Sequence, residues 1–180
     1  SGSMTETCNT YNMLKLTRHL FEWNPQAEYF DYYERALFNQ ILTSQDPKTG
    51  LSGYKLGLYG GYFQGFSTLE DSFWCCTGTG YENHVKYNDS IYFHSDNELY
   101  VNLFIPSVLN WKEKGLILKQ ITKFPDDENV SLIVEKVKSQ PFSIKIRRPI
   151  WAEKGVKIAV NGKDVVFEDK PNEYISIDRR

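Results

Sequence analysis

The stretch from Ser90 to Ser107, SIYFHSDNELYVNLFIPS, decides the fold class, because there the hydrophobic period shifts toward two. It reads as strand, polar turn, strand, with Tyr100, Asn102 and Phe104 on one face and Val101, Leu103 and Ile105 on the other. The same period continues through VSLIVEKV, FSIKIRRPIW and VKIAVNGKDVVF, the last carrying the Asn161-Gly162 pair that favours a tight hairpin. NEYISIDRR then predicts a further strand that ends the sequence where its neighbours would begin. From residue 91 onward the chain therefore reads as a mostly antiparallel β domain, incomplete at its far edge.

Upstream the period is helical. In SMTETCNTYNMLKLTRHLFEW, Met13, Leu16 and Leu20 recur at spacings of three and four, and Tyr11 and Leu14 widen the stripe. Ser3 followed by Glu6 has capping-box spacing, which gives Glu6 a purely structural role. A second helix is signalled by Asn24 as cap and Pro25 at its first position, with Ala27, Phe30, Leu37 and Ile41 on one side. The short link makes an antiparallel helical hairpin, closed by a turn at Pro47 to Gly50. Next comes GYKLGLYGGYFQGFSTLEDSFWCCTGTG, which has no helical period over most of its length. Its density of rings, Tyr54, Tyr59, Tyr62, Phe63, Phe66, Phe73 and Trp74, predicts a packed passage rather than a loose one. A short helix over Gly80 to Tyr87, capped by Thr79, completes the first part. Helices followed by strands make the fold class α+β, with residues 1–90 as one domain and 91–180 as a second.

Composition sets outer limits. A 180-residue chain with 41% hydrophobic and 24% charged residues has the make-up of a folded protein and is long enough for a substantial core. A net charge of -2 with mixed-sign surface runs gives no electrostatic reason to expect nucleic acid or an anionic membrane as partner. Aromatic residues, at 15%, serve equally well to line a carbohydrate cleft or to fill a core. No apolar run reaches the length of a membrane span. The opening SGSMTETCN has the character of mid-protein sequence, so its lack of a signal says nothing about export, and cytoplasm and periplasm both remain open.

The chemistry concentrates on three cysteines. Cys75 and Cys76 are neighbours, and a disulfide between neighbours needs a strained ring. They are either small buried hydrophobes or, with Cys8 and Glu6, a set of three thiolates and a carboxylate of the kind that fills a tetrahedral zinc shell. Their spacing is not that of a zinc ribbon. Glu6 and Cys8, two residues apart, diverge by about 200° on a regular helix, so they share one ion only if Glu6 lies before the helix or its first turn is irregular. Glu70, Asp71, Glu82 and His84 flank the pair: His84 is a candidate for sugar hydroxyls or for support of a metal ligand, and the acids equally suit capping and solvation. Tyr59, Tyr62, Phe66 and Trp74 are candidate sugar platforms. The TGTG segment has no following P-loop pattern and gives no nucleotide site.

TETCNTYNMLKLTRHLF, EDSFWCCTGTGYENHVKYNDSIYF and IKIRRPIWAEKGVKIAVNGK together resemble the glycoside hydrolases of the β-L-arabinofuranosidase type, long known only as a domain of unknown function. The resemblance implies that residues 1–90 are the C-terminal part of an (α/α)6 toroid catalytic domain and 91–180 part of a β-sandwich. It implies zinc as cofactor, held by Glu6, Cys8, Cys75 and Cys76, with Cys75 as the nucleophile of a retaining reaction. His84, Trp74 and Tyr62 become candidates for substrate binding, and an arabinofuranoside-containing glycan becomes the expected partner. The family's acid/base glutamate lies upstream of the Glu-x-Cys motif, so this stretch alone is expected to be inactive and the activity to belong to a longer parent. The competing reading is a non-catalytic carbohydrate-binding or structural domain with buried free thiols.

Overall fold

The computed structural model describes residues 4–138 and 141–179. The chain divides into two compact units, one running to Tyr87 and the other starting at Asn88.

The first unit opens with β1 (Met4–Glu6), followed directly by helix α1 (Thr7–Trp23) and, after a short link, α2 (Ala27–Ala36). Glu6 itself is the residue that caps α1, in extended conformation and without a side-chain capping bond; Ser3, the other half of the expected capping box, lies outside the described residues. The buried face of α1 carries Tyr11, Leu14 and Phe21 together with Thr7, Thr10 and Thr17. The expected stripe is thus only half right, since Met13 and Leu16 are exposed. The hydroxyls of the buried threonines find acceptors, Thr17 on the Met13 carbonyl and Thr10 on Gln40. Helix α2 starts after Gln26, two residues later than the Asn24 cap predicts, because Asn24 instead closes α1 by donating its backbone N–H to the Leu20 carbonyl. Ala27, Phe30, Leu37 and Ile41 are buried as expected, although the helix widens to a π-type turn over Leu37–Ile41. The Phe21 and Phe30 rings meet edge to face with centroids 4.9 Å apart.

At the Pro47 to Gly50 turn, Asp46 accepts the Lys48 N–H and the Thr49 hydroxyl, and Gly50 takes a positive φ of 76°. The chain then returns as β2 (Lys55–Gly57), antiparallel to β1 with Glu6 opposite Lys55. The ring-rich passage that follows is packed only in part: Tyr54, Tyr62, Phe66 and Trp74 are half-buried, whereas Phe63 and Phe73 are each 90% exposed and Tyr59 is more than half exposed. Helix α3 (Cys75–Val85) closes the unit and begins five residues earlier than Gly80, with Trp74 rather than Thr79 at its cap. Gly80 has a packing reason to be glycine, since a Cβ there would sit 2.1 Å from the Ser52 Oγ.

The second unit is a two-sheet sandwich. One sheet is built from β3 (Tyr92–His94), β4 (Glu98–Val101), β8 (Phe142–Arg147) and β11 (Tyr174–Arg179), in the order β11-β8-β4-β3. The other contains β5 (Ser107–Trp111), β6 (Leu116–Thr122) and β7 (Val130–Lys136) in sequence order. A small ribbon of β9 (Ala159–Val160) and β10 (Lys163–Asp164) turns at Asn161 and Gly162, both with positive φ as the Asn-Gly pair predicts. All pairings are antiparallel except β4 with β8. Inward residues of both sheets, including Leu99, Val101, Trp111, Leu116, Leu118, Phe142, Ile144, Ile175 and Ile177, form one buried cluster. Each fully buried aliphatic side chain of this kind stabilises the fold by ~1.5–3 kcal/mol. The expected alternation from Asn102 to Ile105 fails, because β4 stops at Val101 and Asn102, Leu103 and Phe104 are all buried. Side chains replace the ladder there: Gln120 donates to the Leu103 and Ile105 carbonyls, and Arg147 donates to the Asn102 carbonyl. No helix among the described residues is long and apolar enough to cross a membrane.

Candidate metal centre

Three thiols meet where two helices begin. Cys8 is the second residue of α1, and Cys75 and Cys76 are the first two of α3, so all three lie in first helical turns, where the backbone dipole favours negative charge. Neighbours on a helix diverge by only about 100°, unlike neighbours on a strand, and the Cys75 and Cys76 sulfurs are 3.9 Å apart. Across the helices the Cys8 and Cys75 sulfurs are 3.3 Å apart, and the Cys8 N–H donates to the Cys76 sulfur at 3.4 Å. The three Sγ atoms all lie within 4.8 Å of one another. Exposure is graded through the cluster, with Cys76 buried, Cys8 intermediate and Cys75 exposed.

Glu6, at the end of β1, lies beside Cys8. Because it precedes the helix in extended conformation, the divergence expected of two helical positions does not apply, and the Cys8 thiol reaches Glu6 Oε2 at 3.8 Å. The other carboxylate oxygen accepts the Tyr54 hydroxyl at 3.2 Å. Tyr54 stacks on Trp74, the residue before Cys75, with centroids 5.4 Å apart and planes 26° from parallel. Thr7 fastens the strand to the same segment, its hydroxyl donating to the Gly53 carbonyl and its N–H to the Tyr54 carbonyl.

The electrostatics fit a cation. Burial, reinforced by hydrogen bonds to Cys75 and Cys76, pushes the Cys8 thiol up to about 12, and burial also raises Cys76. Without a metal, thiols this close oppose one another's ionisation; a coordinating cation reverses that preference. Three sulfurs within 4.8 Å of one another could hold a metal ion. The negative charge of Glu6 also raises the Tyr54 phenol, which keeps it a hydrogen-bond donor.

The other candidate residues are distributed more widely. Trp74 borders the cluster through its stack with Tyr54. Tyr62 lines an open cavity of about 470 Å³ with Thr5, Tyr32, Arg35, Gln40 and Tyr59, a cavity whose lining includes none of the cysteines. His84 lies nine residues beyond Cys75 on α3, ~13 Å along the axis, where Nδ1 pairs with the Tyr87 hydroxyl at 2.8 Å and burial lowers its pKa. Glu82 accepts the Tyr11 hydroxyl, and the Asp71 N–H is held by Thr68. Tyr54 and Thr7 are the site residues that sequence reasoning did not single out. A tyrosine flanked by glycine and lysine in a ring-rich passage carries no spacing that marks it, whereas its position opposite the Glu6 strand does.

The family model for the β-L-arabinofuranosidase GH127 catalytic domain matches residues 1–89, and that for the GH127 middle domain matches residues 98–180. A solved glycoside hydrolase superposes with a TM-score of 0.83 at 27% identity over 97% of this chain. A GH127 β-arabinofuranosidase gives 0.79 at 24% over 97%, and the GH127 β-L-arabinofuranosidase Ara127N from Geobacillus stearothermophilus T6 gives 0.81 at 21% over 98%. The chain spans 30% of the length of each of these three structures. No curated protein matches the sequence.

Proposed function

Since the chain belongs to the GH127 β-L-arabinofuranosidase family, we propose that it carries the nucleophile and metal-binding half of the active site of a retaining glycoside hydrolase that releases L-arabinofuranose from glycans. The observation that carries this reading is the convergence of Cys8, Cys75 and Cys76 within 4.8 Å, with Glu6 beside Cys8. In this reading the first unit is the C-terminal part of an (α/α)6 toroid, and the second is an incomplete β-sandwich domain.

Glu6, Cys8, Cys75 and Cys76 would hold zinc. The ion, when bound, supplies the positive charge that keeps Cys75 a thiolate at neutral pH without a separate base. Cys75 is the exposed member of the set and so the one a sugar can reach. Its sulfur attacks the anomeric carbon; the C–S bond forms as the bond to the aglycone oxygen breaks, and that oxygen takes a proton from a general acid. Water then attacks the same carbon and gives its proton to the conjugate base, while the C–S bond breaks and the thiolate is restored. Two inversions leave the configuration retained. The general acid is proposed to lie in the longer parent, and so these 180 residues alone are expected to be inactive. Trp74, stacked beside the cluster, is the best placed of the proposed sugar platforms.

The exposure of Cys75 favours this reading over a binding domain with buried free thiols. A cysteine-directed arabinofuranoside mimic, applied to the full-length protein and followed by intact-mass and peptide mapping, should label Cys75. A sugar adduct mapped reproducibly to another residue would overturn the assignment.

A further inference from the structure

We propose that Tyr54 is a positioning residue for the metal centre: its hydroxyl fixes one oxygen of Glu6 so that the other faces the thiols. The inference rests on the reading of Glu6 and the three cysteines as a zinc site.

Glu6 lies at the junction of β1 and α1, and its side chain makes no capping bond that would orient it. Its carboxylate instead divides between two partners, with Oε1 accepting the Tyr54 hydroxyl at 3.2 Å and Oε2 facing the Cys8 sulfur at 3.8 Å. A carboxylate on a flexible side chain is a weaker ligand when it must be ordered at the moment of binding, and a hydrogen bond to its distal oxygen removes that cost in advance.

Tyr54 is itself held firmly enough to serve. Its carbonyl accepts the Thr7 N–H, β2 follows it directly in register with β1, and its ring lies against Trp74 at 5.4 Å. Trp74 is the residue that starts α3, immediately before Cys75. One tyrosine therefore joins the strand that supplies Glu6 to the helix that supplies Cys75 and Cys76. The ring performs the joining and the hydroxyl performs the orientation, so the two functions are separable by mutation.

Zinc affinity of the full-length protein, measured by competition with a chromophoric chelator in the absence of sugar, tests the assignment. Tyr54→Phe keeps the stack and loses the hydroxyl; zinc affinity should fall ~10–100-fold while the thermal midpoint of the metal-free protein stays unchanged. In a Glu6→Gln background the same Tyr54→Phe change should cost little further affinity, because its effect passes through the carboxylate. Zinc affinity of Tyr54→Phe within twofold of wild type would overturn the proposal, as would full additivity with Glu6→Gln. Wild-type protein that takes up no zinc would defeat the zinc reading itself and the Tyr54 assignment with it, whereas zinc-binding wild type with an unaffected Tyr54→Phe variant would defeat only the latter.

Discussion

The sandwich unit and the helical unit use their apolar residues differently. In the sandwich, strand alternation sends Leu99, Val101, Leu116 and Leu118 into one cluster shared by both sheets, and Val108, Ile121 and Ile133 are exposed positions on β5, β6 and β7. In the helical unit, large exposed side chains include Leu58, Tyr59, Phe63, Leu69 and Phe73, all in the irregular passage before α3. The first unit leaves the Cys75 sulfur exposed, while the second sends its strand residues into one shared core. Substitution of the exposed Cys75 is therefore expected to be read out in chemistry, and substitution of the buried strand residues in stability.

The largest effect is expected at the exposed thiol. Cys75→Ser in the full-length protein should lower kcat by ~10⁴–10⁶-fold, as loss of a nucleophile does, with circular dichroism unchanged. Turnover near the wild-type rate would place the chemistry elsewhere. Next in size is the comparison of this 180-residue chain with the full-length protein at equal folded concentration: under the proposal that the general acid lies in the longer parent, its loss should cost ~10²–10⁴-fold on a poorly activated arabinofuranoside. An activated aryl arabinofuranoside should narrow that gap, because its leaving group needs less protonation.

Stability comes third. Leu118→Ala, at a fully buried position of β6, should cost ~2–5 kcal/mol in urea unfolding, whereas Met13→Ala on the exposed face of α1 should stay within about 0.5 kcal/mol. Equal losses at both positions would contradict the burial that separates Leu118 from Met13. The smallest effect is in pH dependence. Burial lowers the His84 pKa below its usual 6.5, so the unfolded chain takes up the proton first as pH falls. Its contribution is therefore present above about pH 6.5 and lost as pH drops toward the folded value. In the sandwich, hydrogen bonding from Tyr100 lowers Glu98 from its usual 4.5, and that contribution is lost only at lower pH, as the medium falls through its folded value. Hydrogen exchange resolved by unit should show the helical unit weakening first between pH 7 and pH 5.5, and His84→Gln should abolish the difference.

The sandwich strands were the more legible part of the sequence. Period-two alternation and the Asn161-Gly162 turn marked β7 to β11, since inward and outward positions on a strand differ by one residue. The pair β5 and β6 went unmarked, although their connection is a turn at Gly115 with positive φ. In the helical unit the thiols and Glu6 were visible through their motif, but their geometry was not. Trp74 starting α3 brings Cys75 and Cys76 onto a helix end, and two glycines at positions 78 and 80 concealed that helix. The buried face of α1 was only half legible, because Thr7, Thr10 and Thr17 share it with Tyr11, Leu14 and Phe21 and interrupt the hydrophobic stripe. Tyr54 could be found only through the pairing of β1 with β2, a contact 48 residues apart in sequence.

Metal content tests the central claim most directly. Full-length protein purified without added metal or chelator, and examined by elemental analysis, should carry about one zinc per chain, and Cys8→Ser should lose most of it while remaining folded. Active wild-type protein that contains no zinc would contradict the account.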